Sequence, residues 1–117
     1  MAHDEACPSY NEIMTNIYMG HKFLKEEFNY VPRIGWQIDA KGNSAVNAML
    51  YSQMGYEALV VGQIGQEDYD KRVLHKDLEF TWRPEFSDAT PTGSNSLFVS
   101  IMMSGYRSPV VKLDNNW

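Results

Sequence analysis

Asp39 is the carboxylate best placed to do chemistry. It follows Arg33-Ile34-Gly35-Trp36-Gln37-Ile38 and precedes Ala40-Lys41-Gly42-Asn43-Ser44. That order closes a short apolar strand and opens a loop into the next element. In parallel α/β folds, strand ends and the loops after them form the active site. A carboxylate there can act as a nucleophile, a base or a metal ligand. It can equally cap a helix or hold a turn. His3-Asp4-Glu5 is a second cluster, suited to a hard metal or a sugar hydroxyl, or else simply solvated at the surface. Trp36, Trp82 and Tyr106 fall near expected strand ends or turns. Such rings stack on sugar faces or fill cores.

Other chemistries find little support. His21 and His75 have no partner at H-x-x-x-H spacing. Ser44 has no G-x-S-x-G elbow around it, and Gly42 and Gly62 form no phosphate-cradling pattern. Cys7 is the single cysteine, so no internal disulfide can form, and a half-buried inert thiol is expected. The 117 residues carry a net charge of −5, with basic residues scattered rather than striped. Nucleic acid is therefore excluded as a partner on electrostatic grounds. A hydrophobic share of 44% with 13% aromatics argues against disorder. No apolar run reaches the roughly 20 residues of a membrane span. Met1 to Ala6 lacks the basic and apolar regions of a signal peptide.

These residues need a frame. Ile13, Ile17, Phe23, Leu24 and Phe28 recur at helical spacing and predict one apolar helix face from Ser9 to Phe28. Ser9 with Glu12 resembles a capping box, and Asn29, Tyr30 and Pro32 break the helix. Residues 33–39 predict a buried strand, 44–54 a helix ended by Gly55, and 58–61 a second strand. A short polar helix over 67–75 and a strand over 78–82 follow. Residues 87–96 read as a loop, and 97–103 as a fourth strand or a short helix. The alternation predicts an α/β fold, an incomplete parallel β/α sheet. Its open edges make the chain look unfinished at both ends.

The residues also resemble a family. Gly35-Trp36-Gln37-Ile38-Asp39, with Gly42 and Ser44, is similar to the G-W-x-I-D-P-F-G-H-S signature of glycoside hydrolase family 38 α-mannosidases. His3-Asp4-Glu5-Ala6 and Gln53-Met54-Gly55-Tyr56-Glu57-Ala58-Leu59 match further segments. Asp70-Lys71-Arg72, Leu78 to Arg83 and Gly105-Tyr106 continue the match in order. The likeness is greatest to the lysosomal-type branch. It implies that residues 1–117 are part of an N-terminal catalytic domain, a piece of a seven-stranded β/α-barrel-like fold.

The same resemblance implies hydrolysis of terminal α-linked mannose from N-glycan-type oligosaccharides, with retention. Asp39 falls on the nucleophile, which in the family also ligates zinc. Tyr106, Asp4 and Trp36 fall on substrate-binding positions. The other zinc ligands and the acid/base carboxylate would lie outside this chain, and the compartment would be the lysosome or another part of the secretory pathway. The chain departs from the signature at Ala40, Lys41 and Asn43, where the family has Pro, Phe and His. Gln63 stands where the family has an arginine near the nucleophile. These departures keep a second reading open, a catalytically degenerate relative that binds glycans.

Overall fold

The computed structural model describes residues 3–84 and 96–103. Helix α1 spans Tyr10–Phe28. Its start is the expected one: the Glu12 carboxylate accepts from the Ser9 backbone N–H at 2.6 Å and from the Ser9 hydroxyl at 2.9 Å. Its end is Asn29 in the left-handed region, φ 49°, a conformation that Asn tolerates. The expected apolar face is buried only in its first half. Ile13 and Ile17 are core residues, whereas Phe23 and Phe28 are exposed. In the second half of the helix only His21, on the Tyr56 hydroxyl, and Leu24 are half-buried side chains.

Strand β1 is Ile34–Gln37, β2 is Ala58–Val61, β3 is Glu79–Trp82 and β4 is Leu97–Ile101. Residues 97–101 thus take the strand alternative. Helix α2 (Ala45–Gln53) lies between β1 and β2, and α3 (Gln66–His75) between β2 and β3. The sheet order is β1-β2-β4-β3. The strands β1, β2 and β4 are parallel, with Gly35 beside Leu59 and Leu59 beside Val99. At the edge, β3 runs antiparallel to β4, pairing Phe80 with Val99. The sheet is mixed, which corrects the all-parallel expectation. A parallel crossover needs a helix that buries an apolar stripe on the sheet. Helix α3 fully buries no residue; it meets the core through the half-buried Tyr69 and through Arg72 over the Phe80 ring.

One sheet face carries the core. Leu59, Val61, Leu97, Val99 and Ile101 pack with Ile13 and Ile17 of α1 and Ala48 and Tyr51 of α2. The strand alternation sends Ile34, Trp36 and Phe98 to the other face, where all three are exposed. Gly35 faces the core because a Cβ there would lie 2.8 Å from Leu59 Cδ1 and 3.1 Å from Tyr51 Cε1. The structure is a two-layer sandwich of helices on a single sheet face.

Candidate functional site

The C-terminal end of β1 is built by three segments. The first is the strand itself, which ends at Gln37, so Asp39 lies two residues beyond it in the loop. The loop after β2 presses against this point. The Gly62 N–H donates to the Gln37 carbonyl at 3.2 Å, and a Cβ on Gly62 would lie 2.3 Å from the Ile38 carbonyl oxygen. Only glycine permits that approach. It fixes the path of the chain into Asp39.

The loop then turns back on itself. Ala40 is buried, and Gly42 takes φ +129°, a region open in practice to glycine alone. Lys41 reaches back, and its ammonium forms an ion pair with Asp39 Oδ1. The two side chains are 57% and 52% exposed. Water screens such a pair, which is worth about 1 kcal/mol or less. The Asn43 amide donates to the Gln63 carbonyl at 3.0 Å and ties the loops after β1 and β2 together. The Ser44 hydroxyl accepts from the Val46 N–H at 3.2 Å and caps α2.

The third segment is the arm His3 to Ala6. The Gln37 side chain, fully buried, donates to the His3 carbonyl at 2.7 Å. Glu5 accepts from the Ser44 N–H at 2.6 Å and from the Asn47 amide at 2.7 Å. A carboxylate at the start of a helix is favoured by the exposed N–H groups there. Asp4 accepts from the Ala6 N–H at 2.9 Å and is exposed. The His3 ring stacks with Tyr51 at 6.3 Å, and both its nitrogens are shut from solvent. Burial holds its pKa below the ordinary value of 6.5, against the upward pull of the Glu5 carboxylate. Burial likewise pushes the Tyr51 and Tyr56 hydroxyls up.

Beside the loop lies a cavity of about 580 Å³, lined by Lys41, Asn43, Gln63, Arg72, Phe80 and Trp82 among others. The buried Val61, Val99 and Ile101 also line it. The Arg72 guanidinium sits 4.2 Å from the Phe80 ring centroid and also bonds Asp68 at 3.0 Å.

The expected site residues are thus partly gathered. The arm carrying Asp4 docks at the end of β1, on the same edge as Asp39. Trp36 belongs to β1 but projects from the uncovered sheet face, 54% exposed, neither in the core nor in the loop that holds Asp39. Tyr106 lies outside the described residues. Cys7 is exposed rather than half-buried. His21 is not isolated, since its Nε2 lies 2.6 Å from the Tyr56 hydroxyl. Glu5 organises the arm more than Asp4 does, and its partners are 39 and 42 residues away. Gln37, polar on the inward face of an apolar strand, carried a signal in the period-two pattern.

Chemically, Asp39 is an accessible carboxylate at a fixed strand end, competent to attack an electrophilic carbon once it is released from Lys41. Among the described residues, no three His, Cys, Asp or Glu side chains gather as a metal site.

Comparison with known proteins gives this geometry a context. The glycosyl hydrolases family 38 N-terminal domain matches residues 1–116. A lysosomal alpha-mannosidase of Dictyostelium discoideum is 36% identical over 106 residues, 91% of this chain and 10% of that protein. An alpha-mannosidase of Arabidopsis thaliana is 38% identical over 108 residues, 92% of this chain and 10% of that protein. The human lysosomal alpha-mannosidase is 32% identical over 108 residues, again 91% and 10%. The chain spans about a tenth of the length of the curated relatives it matches.

Proposed function

Because the chain belongs to the glycosyl hydrolases of family 38, we propose that it forms part of the catalytic domain of a longer α-mannosidase. The substrate is a terminal α-linked mannose on an N-glycan-type oligosaccharide. The observation that carries this reading is the family match across residues 1–116, taken with the placement of Asp39 in the loop after β1. In a longer parent, the four strands would be a sector of a seven-stranded, barrel-like sheet. The lysosomal relatives favour a lysosomal or other secretory-pathway location.

The chemistry follows from the carboxylate. Asp39 attacks the anomeric carbon and forms a covalent mannosyl ester, while a second carboxylic acid protonates the departing glycosidic oxygen. Water then cleaves the ester with the second group acting as base, which preserves the anomeric configuration. Asp4 and Glu5 are poor candidates for that second role, because each is engaged with backbone or amide donors of its own chain. The second group belongs to the parent, so this piece alone is expected to be inactive. Substrate contacts from Asp4, Trp36 and Tyr106 remain part of the proposal. Among the described residues, no helix is long and apolar enough to cross a membrane.

Zinc is the cofactor that the resemblance implies. The described residues do not fit it as they stand. They offer one expected ligand, Asp39, and that carboxylate is paired with Lys41.

The test is release of nitrophenol from an aryl α-mannoside by the intact protein. Asp39→Asn should lower turnover at least about a thousandfold, as loss of a nucleophile does elsewhere. An unchanged rate would remove the assignment. The Lys41–Asp39 pair favours the second reading, a glycan-binding relative without turnover. That reading expects mannose-oligosaccharide binding with no nitrophenol release. Under the first, Lys41→Phe, Asn43→His and Gln63→Arg together raise the rate.

A further inference from the structure

We infer that Lys41 is the resident cation of Asp39, so that an ammonium from the same loop balances the strand-end carboxylate and a divalent ion is disfavoured there. The inference rests on Asp39 being the functional carboxylate, as proposed above. It concerns how this chain handles the charge of that group.

Three observations carry it. First, the Lys41 ammonium is on Asp39 Oδ1, from two residues along the same loop. Ala40 is anchored in the core between the two residues, and Gly42 turns the chain directly after them. Second, the other carboxylates of this edge have donors of their own. Asp4 takes the Ala6 N–H, Glu5 takes Ser44 and Asn47, and Asp68 takes Arg72. Third, the nearest arm imidazole, His3, is stacked on Tyr51 with both nitrogens enclosed. It cannot ligate without leaving its pocket.

Lys41 therefore acts twice against a divalent cation. It competes for the same carboxylate oxygen, and its positive charge repels the incoming ion. Two charges on the metal and one on the lysine, about 4 Å apart in a water-like dielectric, correspond to roughly tenfold or more in affinity. Lys41 is on this view a positioning residue, since it acts through Asp39.

The experiment is a calorimetric titration of the intact protein with zinc ion alone, comparing wild type, Lys41→Met and Lys41→Arg, each also in an Asp39→Asn background. Lys41→Met should bind zinc about tenfold tighter than wild type, while Lys41→Arg, which keeps the cation, should not. In the Asp39→Asn background the Lys41→Met gain should fall to about twofold or less. Native-like circular dichroism of each variant excludes misfolding as the cause. Equal affinities for wild type and Lys41→Met overturn the inference, as does an equal gain with and without Asp39. Neither result touches the nucleophile assignment, which stands or falls on turnover by Asp39→Asn.

Discussion

Glu5 is the residue whose loss should most disturb the arm at the end of β1. Its carboxylate accepts from the Ser44 N–H at 2.6 Å and from the Asn47 amide at 2.7 Å. Asn47 is 3% exposed, and its carbonyl oxygen has no partner. In Glu5→Ala, the buried Asn47 amide loses its acceptor as well, a cost of about 1–3 kcal/mol. The start of α2 also loses a favourable negative charge, worth about 0.3–1 kcal/mol. Together these give about 1–4 kcal/mol, a substantial part of the roughly 5–15 kcal/mol that holds a typical domain. Glu5→Gln keeps an acceptor for one of the two donors and should cost about half as much. Urea unfolding followed by tryptophan fluorescence measures both, with the midpoint falling and the slope unchanged. If Glu5→Ala unfolds within about 0.5 kcal/mol of wild type, the two bonds do not hold the arm, and the account of how Asp4 reaches this edge fails with them.

Gly62→Ala should cost about 1–3 kcal/mol, because the new methyl cannot coexist with the Ile38 carbonyl; amide resonances of residues 37–41 should move, and unchanged spectra would contradict the close approach. His3 titrates near 6.5 when unfolded and lower when folded, so its contribution to stability is complete above pH 6.5 and is lost as pH falls through the folded value. Urea midpoints between pH 7.5 and about 5 should fall for wild type and fall less for His3→Gln. The Glu12 carboxylate, held low by its bonds from Ser9, acts only in the more acidic carboxylate range. Lys41→Phe and Gln63→Arg should be non-additive in stability by about 0.5–3 kcal/mol, since one removes and the other adds a cation in a shared cavity; additivity within about 0.3 kcal/mol would separate the two positions.

Much of the frame was legible because its signals are local. Ser9 with Glu12, Ser44 before α2, Gly55 after it and the apolar run 58–61 each announce a boundary within a few residues. What escaped is set at long range. The antiparallel direction of β3 is set by its pairing with β4, which the spacing of strands does not reveal. The exposure of Phe23 and Phe28 depends on what tertiary structure lies against that half of α1, which helical spacing does not reveal. Near the end of β1, the place of Asp39 after an apolar strand was legible, while the contacts of Glu5 and Gln37 depend on an arm folding back across more than thirty residues.

The departures from the family signature are better understood as one unit than as separate losses. Lys41 engages Asp39, and Asn43 bonds the backbone of Gln63. Both bonds lie between or within the loops after β1 and β2, and all four departing residues, Ala40 included, line one cavity. In the signature, by resemblance, the arginine near the nucleophile would supply the cation from the second loop. Here the cation comes from the first loop, and the second contributes a neutral side chain and a backbone acceptor. The charge on Asp39 is balanced in either arrangement, but from different directions. An ammonium two residues away is tethered to the carboxylate it serves and moves with it. A guanidinium on the neighbouring loop would be held independently, and its planar fork would fix the carboxylate plane. The chain thus keeps the neutrality of the strand end while giving up one means of orienting it. That distinction predicts where the departures should be felt: in the positioning of Asp39 rather than in the stability of the sheet below it, whose core residues all lie on the face packed by α1 and α2.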